Sequence, residues 1–218
     1  MNIFSQLLDF ILNIDTYIIS LVQYFGIFSY VILGLIIFIE TGLVVVPFIP
    51  GDSILFVVGL IASQHALNIF VIIIVLIAAA IVGDTCNYFI GHFLGHKILK
   101  NKKILKYIGK HIEKTKRFYE EHGSLAIVYA RFVPIVRTIA PFIAGVTDMH
   151  YQKFAMYNIV GGILWVIIVT SLGYFLGNIT FIKDNLTLIL LIIVILSILP
   201  TIIALIKPKN KKKPNLLS

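Results

Sequence analysis

Between Glu40 and Ser53 the chain reads Glu-Thr-Gly-Leu-Val-Val-Val-Pro-Phe-Ile-Pro-Gly-Asp-Ser, a polar, proline-broken stretch set between two runs of hydrocarbon-like sequence. The run before it, Phe28 to Ile39, has only Ser29 and Tyr30 as polar relief, and the run after it, Ile54 to Ala62, has no polar side chain. Each arm reaches only about 15 to 18 Å as helix, roughly half of a hydrocarbon core about 30 Å thick. The break therefore falls near mid-membrane. Pro47 and Pro50 remove two backbone donors, and Gly51 tolerates backbone angles that other residues avoid, so the chain can turn back there. Irregular backbone at that depth survives only inside protein or beside a water-filled cavity, so this stretch predicts a re-entrant hairpin lining a site.

The rest of the composition agrees with a membrane solvent. Of 218 residues 59% are hydrophobic and 13% charged, with a mean hydropathy of +1.01, which excludes an ordinary soluble domain. The net charge of +8 would suit nucleic acid if it were spread over a surface, but residues 1–96 contain no Lys or Arg. Nine basic residues lie between Lys97 and Arg117 and five between Lys207 and Lys213. Two cationic clusters beside apolar spans are the positive-inside signal, so both are placed in the cytoplasm near anionic headgroups, and no nucleic-acid partner is expected. Cys86 is the only cysteine, which excludes an internal disulfide and a thiolate metal framework. His92 and His96 share a helical face without a third ligand, so no metal or cofactor is expected. No nucleophile elbow or phosphate loop is present, so the chain reads as a non-enzyme.

The expected fold is all-α and polytopic: an inverted repeat with two broken-helix hairpins meeting at mid-membrane, about three full transmembrane helices, and amphipathic helices. Residues 1–26 form an N-terminal amphipathic or interfacial helix, its apolar face relieved by Asp9, Asn13, Asp15 and Gln23; whether residues 3–25 cross the membrane is left open. A transmembrane domain follows over 27–206. It comprises repeat one (28–95), with a long helix from about Leu67 to Leu94, a basic amphipathic linker (96–122), repeat two (124–177) and a last span (186–206). Residues 207–218 are a basic cytoplasmic tail. In repeat two, Ser124 to Gly145 is apolar but interrupted by Arg131, Pro134, Arg137 and Pro141. Pro134, Pro141 and Gly145 are read as breaking this second hairpin, with Pro134 pushing Val133 out of helical geometry.

Internal echoes support the repeat. Pro47-Phe48-Ile49-Pro50-Gly51 recurs as Pro141-Phe142-Ile143-Ala144-Gly145, and Gly91-His92-Phe93-Leu94-Gly95 as Gly173-Tyr174-Phe175-Leu176-Gly177, in the same order. The predicted orientations of the two copies are opposite, the arrangement of inverted-repeat transporters, whose substrate site lies where the repeats meet.

Glu40 and Asp52 of the first hairpin and Arg131 and Arg137 of the second then face one another at mid-depth. Intramembrane charges cost about 2.5 to 3.5 kcal/mol each, so four of them need partners or a task. One reading is purely structural, with each acid bridged to one arginine. The functional reading uses the guanidinium fork, which binds phosphate bidentately and keeps its charge when buried, and a carboxylate on which burial and a neighbouring arginine act oppositely, so that it can load and release a proton. Arg131 and Arg137 are the expected phosphate ligands, and Glu40 and Asp52 the proton-coupling or ion-pairing acids. Asp84, Asn158 and Trp165 are expected around them, with helix packing as the alternative role for Asp84 and Asn158 and an interfacial or packing role for Trp165.

At these residues the chain resembles the DedA family of bacterial membrane proteins, related to the VTT-domain lipid scramblases. Glu40 with Pro47 and Pro50-Gly51-Asp52 is similar to the family's acidic hairpin. Gly83-Asp84, Tyr88, Gly91 and Gly95 are similar to its second motif. Arg131-Phe132-Val133-Pro134 with Arg137, Pro141 and Ala144-Gly145 resembles its arginine hairpin, and Phe154, Asn158, Gly161 and Trp165 the helix after it. Ile135 departs from the glycine usual after that proline. The resemblance implies lipid translocation in the bacterial plasma membrane: flipping of undecaprenyl phosphate, coupled to protons or membrane potential, or movement of phosphatidylethanolamine or phospholipids in general. An anionic lipid is thus the expected partner. A lipid phosphatase and a purely structural membrane protein are the weaker readings, and homo-oligomerisation is left open.

Overall fold

A computed structural model describes residues 14–43, 51–100, 123–147, 149–177 and 179. The expectations for residues 3–13, for Pro47 and Pro50, for linker residues 101–122, for the last span 186–206 and for the tail lie outside the described residues. All regular structure among the described residues is helical. Helix α1 is Ile14–Phe25, α2 is Phe28–Gly42, α3 is Gly51–Ser63 and α4 is Ile69–Lys100. A short 3-10 turn, Gly123–Leu125, leads into α5, Ala126–Ala130, followed by α6, Pro134–Val146, and α7, Tyr151–Leu176.

Two of these helices, α4 and α7, are long and apolar enough to cross a membrane. Their 32 and 26 residues correspond to about 48 and 39 Å at 1.5 Å per residue. Asn68 starts α4 by accepting the free amides of Phe70 (3.0 Å) and Val71 (3.3 Å) on its side-chain oxygen, the usual service of an asparagine at a helix N-terminus. The outward faces of both helices are as apolar as their inner ones, with Phe70, Ile74, Val82 and Phe93 exposed on α4 and Met156, Ile159, Ile167 and Phe175 on α7. Helices apolar all round suit a lipid solvent.

The core is built on α3. Gly51 and every residue from Ser53 to Ser63 are buried, against Leu33 and Ile37 of α2, Ile72, Leu76 and Ala80 of α4, and Trp165 and Val166 of α7. The arms of each broken segment part company. Helix α2 packs along α4 while α3 packs along α7, and α5 packs along α7 while α6 packs along α4. Each broken segment thus straddles both long helices.

The cross-contacts are made backbone to backbone. A Cβ on Gly59 would collide with the Thr170 carbonyl, and one on Gly173 with the Phe56 carbonyl. On the other side, a Cβ on Gly91 would meet the Phe142 carbonyl, and one on Gly145 the Tyr88 carbonyl and the His92 amide. Small residues let membrane helices approach this closely. Gly145 therefore packs α6 onto α4 rather than breaking a hairpin. Pro141 likewise lies inside α6 and does not end it, in keeping with the tolerance for proline where neighbouring helices and side chains re-satisfy the freed backbone. The break in the second segment is confined to residues 131–133: Val133 is extended (φ −115°, ψ 105°) and Pro134 opens the new helix, as the restriction before proline dictates.

Candidate functional site

Five charged side chains come together where the ends of α2, α3, α5 and α6 meet the middle of α4. Glu40 sits in the last turn of α2, Asp52 in the first turn of α3, Asp84 midway along α4, Arg131 just after α5 and Arg137 in the first turn of α6. Arg137 takes two acids at once, donating from Nη2 to Glu40 Oε1 (2.6 Å) and from Nη1 to Asp52 Oδ1 (2.8 Å). Arg131 uses Nη2 for Asp84 Oδ2 (2.5 Å) and also donates to Asn158 Oδ1. Glu40 and Asp52 therefore share one arginine instead of taking one each, and Asp84 is a full ion-pair partner of the other.

Local sequence makes room for these pairs. A Cβ at Gly51 would lie 2.8 Å from the Glu40 carboxyl, so this glycine leaves space for Glu40 against the amino end of α3, where the helix dipole favours a negative group. Gly161 and Gly162 of α7 do the same for Arg131: a Cβ on Gly161 would stand 3.0 Å from its Cδ, and one on Gly162 3.5 Å from its Nη2. Asn158, fully buried, turns its amide nitrogen to the Ile81 carbonyl (3.0 Å) and the Thr85 hydroxyl (3.4 Å), which fixes its oxygen toward Arg131.

Trp165 closes the cluster from α7. Its indole N–H donates to Asp52 Oδ1 (2.7 Å). The Arg137 guanidinium lies 4.8 Å and that of Arg131 5.9 Å from its ring centroid, both within cation–π reach. Of the two roles expected for Trp165 the interfacial one is excluded: the residue is buried in the core and touches three of the charged residues. The site is not uniformly closed: the side chains of Glu40 and Asp84 are 2% exposed, but that of Asp52 is 22% exposed. Asp52 marks the open face.

Hydrogen-bonding capacity is left over. Among the described residues, Nε and Nη1 of Arg131 and Nε of Arg137 are buried donors without an acceptor, while Glu40 Oε2, Asp84 Oδ1 and Asn87 Oδ1 are buried acceptors without a donor. No group of three or more His, Cys, Asp or Glu suited to a metal ion occurs among the described residues.

A sequence profile of the VTT domain matches residues 49–175, which hold both second arms, both long helices, Asp52, Asp84 and the two arginines. Protein DedA of Escherichia coli K12 is 47% identical over 212 residues, 96% of this chain and 97% of that protein. The chain belongs to the DedA family of membrane proteins. An uncharacterized membrane protein of Mycobacterium leprae is 41% identical over 169 residues, 78% of this chain and 76% of its own. Inner membrane protein YghB of Escherichia coli K12 is 33% identical over 177 residues, 81% and 78% of the two chains. As a DedA-family protein the chain is a bacterial membrane protein. No solved structure matches it.

Asn87 and Gly162 are the members of this region that reading the sequence for function passed over. Asn87 is a fully buried polar residue in the middle of α4, and its signal is its burial price: an amide in a membrane-spanning helix needs partners.

Proposed function

We propose that this DedA-family protein moves a phosphate-bearing lipid, a polyprenyl phosphate carrier such as undecaprenyl phosphate, between the leaflets of the bacterial plasma membrane, with its C-terminus in the cytoplasm. The observation that carries this reading is the surplus of guanidinium donors, Arg131 Nε and Nη1 and Arg137 Nε, held buried beside a partly open face. A compact phosphate monoester offers the acceptor oxygens those donors lack, while a prenyl chain can stay in lipid along the apolar outer faces of α4 and α7. Binding is pictured as exchange: the phosphate takes over Arg137 as Asp52 lets it go.

Charge balance supports coupling to a proton or to the membrane potential. Glu40, Asp52 and Asp84 face only Arg131 and Arg137 within the ion-paired cluster, so the ionised cluster is one positive charge short. A proton on Glu40, whose Oε2 has no partner among the described residues, would supply it. The exchanged arms, with α3 on the long helix of the second half and α6 on that of the first, fit an inverted repeat whose two re-entrant segments meet at the substrate. Relative tilting of α4 and α7 would then act on both breaks together.

A second reading, movement of phosphatidylethanolamine or of phospholipids in general, is favoured by Asp52 itself, because a partly exposed carboxylate beside Arg137 also suits a headgroup carrying both phosphate and ammonium. Translocation of a labelled polyprenyl phosphate in proteoliposomes, with labelled phosphatidylethanolamine in parallel, separates the two. Movement of the prenyl lipid alone is the expected result. Equal movement of both gives the second reading, and movement of neither removes the transport proposal.

A further inference from the structure

The two broken segments are tied together at one point that involves none of the five charges. Asn87 of α4 is 0% exposed, and its amide nitrogen donates one hydrogen to the Thr41 carbonyl (3.2 Å) and the other to the Thr138 carbonyl (2.9 Å). Thr41 is the residue after Glu40, in the last turn of α2, where helix carbonyls have no partner further along the chain. Thr138 is the residue after Arg137, in the first turns of α6. A single NH2 group therefore bridges the peptide units that flank the Glu40–Arg137 ion pair (2.6 Å). Gly83, one turn earlier on α4, lies against the Thr41 hydroxyl and the Gly42 amide with no room for a Cβ, so α2 is seated at this level of α4 and Asn87 sets its spacing from α6.

The chemistry calls for an uncharged group with two donors on one nitrogen, which a primary amide supplies. Two carbonyl oxygens need two donors on one atom, which an aspartate or an aliphatic side chain does not offer. The amide is oriented by these two bonds alone, because its oxygen is buried without a donor among the described residues. We infer that Asn87 is a positioning residue: through its two backbone bonds it holds the segment carrying Glu40 and the segment carrying Arg137 in the register at which their ion pair closes. This inference rests on the proposed transport function only for its consequence on lipid movement, and its structural part stands apart from it.

The test replaces Asn87 with leucine, similar in size, and with alanine in case leucine does not fold. Spin labels on Leu43→Cys and Phe132→Cys, both exposed at the breaks, in a Cys86→Ser background report the distance between the two segments by pulsed electron spin resonance. Ile72→Ala, a buried core substitution on α4 away from the breaks, controls for loss of stability alone. The inference predicts a longer, broader distance distribution for the Asn87 variants and an unchanged one for Ile72→Ala, together with a fall in lipid translocation of about tenfold or more, as expected when reacting groups are misplaced by an ångström or so. A distribution identical to that of the parent, or one reproduced by Ile72→Ala, overturns it. A changed distribution in a protein that moves no lipid even as wild type supports the positioning role and refutes the transport reading instead.

Discussion

Replacing Arg131 with methionine strands the Asp84 carboxylate in a place where water does not reach it. The two side chains are each 2% exposed and meet at 2.5 Å. Charge centres about 4 Å apart attract by about 4 kcal/mol at an effective dielectric near 20. Removing one partner of such a pair costs about 3–5 kcal/mol, because the other is left buried and uncompensated. Asp84→Leu should cost a similar amount from the opposite side, with the guanidinium stranded against Gly161 and Trp165. The double variant Arg131→Met, Asp84→Leu leaves no orphaned charge, and replacing a whole buried pair with apolar side chains is often neutral. It should therefore be more stable than either single variant, with a coupling energy of about 3 kcal/mol or more. Equilibrium unfolding in mixed micelles of mild detergent and dodecyl sulfate measures all four corners of the cycle. Additivity within about 0.5 kcal/mol would show that the two charges do not depend on each other, and the ion-pair account of this half of the site would fail. If Arg131 also serves the phosphate, the double variant folds but translocates no lipid, which separates its two roles.

Further substitutions probe the other contacts. Trp165→Phe keeps the aromatic face under Arg137 but deletes the 2.7 Å bond to Asp52; it should lower translocation while costing only about 1.5–3 kcal/mol for the lost bond to a charged group, because Asp52 Oδ1 keeps its bond from Arg137, read by the same unfolding assay. Gly51→Ala places a methyl 2.8 Å from the Glu40 carboxyl, so the Glu40–Arg137 pair should open at a cost of about 1–3 kcal/mol, with transport lost in protein that still purifies as a folded species. Gly145→Val drives side-chain atoms into the Tyr88 carbonyl and the His92 amide and should abolish recovery of monodisperse protein, whereas Gly26→Ala, with nothing within 4 Å, should leave recovery within about twofold despite its left-handed backbone. Glu40→Gln should flatten the pH dependence of translocation; an unchanged pH profile would remove this carboxylate from coupling.

What the sequence discloses depends on whether a residue acts locally or through the packing of distant elements. The break at Pro134 was legible because proline constrains its own neighbour, and Val133 is extended as that rule requires. The long helices α4 and α7 were legible from uninterrupted apolar length, although α4 runs on to Lys100 past the expected end near Leu94. Pro141 misled because its breaking tendency is a property of isolated helices, and α6 is held by α4 on both sides of it, after it through Gly91, Gly95 and Gly145 and before it through the Asn87 bond to the Thr138 carbonyl. The need of Glu40, Asp52, Arg131 and Arg137 for partners followed from burial in an apolar chain, but their pairing did not. That pairing depends on α2 and α3 separating onto different long helices, which brings both acids to Arg137 and leaves Asp84 for Arg131. The glycines of the Gly91–Gly95 and Gly173–Gly177 echo were visible as a pattern, whereas their task, backbone contact between the two halves, emerges only from the fold. Asn87 carries no periodic or motif signal. Its importance lies in two carbonyls 46 and 51 residues away.

The most direct test of the central claim is the leaflet-to-leaflet movement of labelled polyprenyl phosphate in proteoliposomes containing either the wild type or Arg137→Gln, with the folding of both checked by unfolding in mixed micelles. Arg137 is the choice because it joins the buried Glu40 to Asp52 of the open face, and glutamine still offers amide donors to both carboxylates. The account predicts movement by the wild type and its loss in a variant that remains folded. Undiminished movement by folded Arg137→Gln would contradict it.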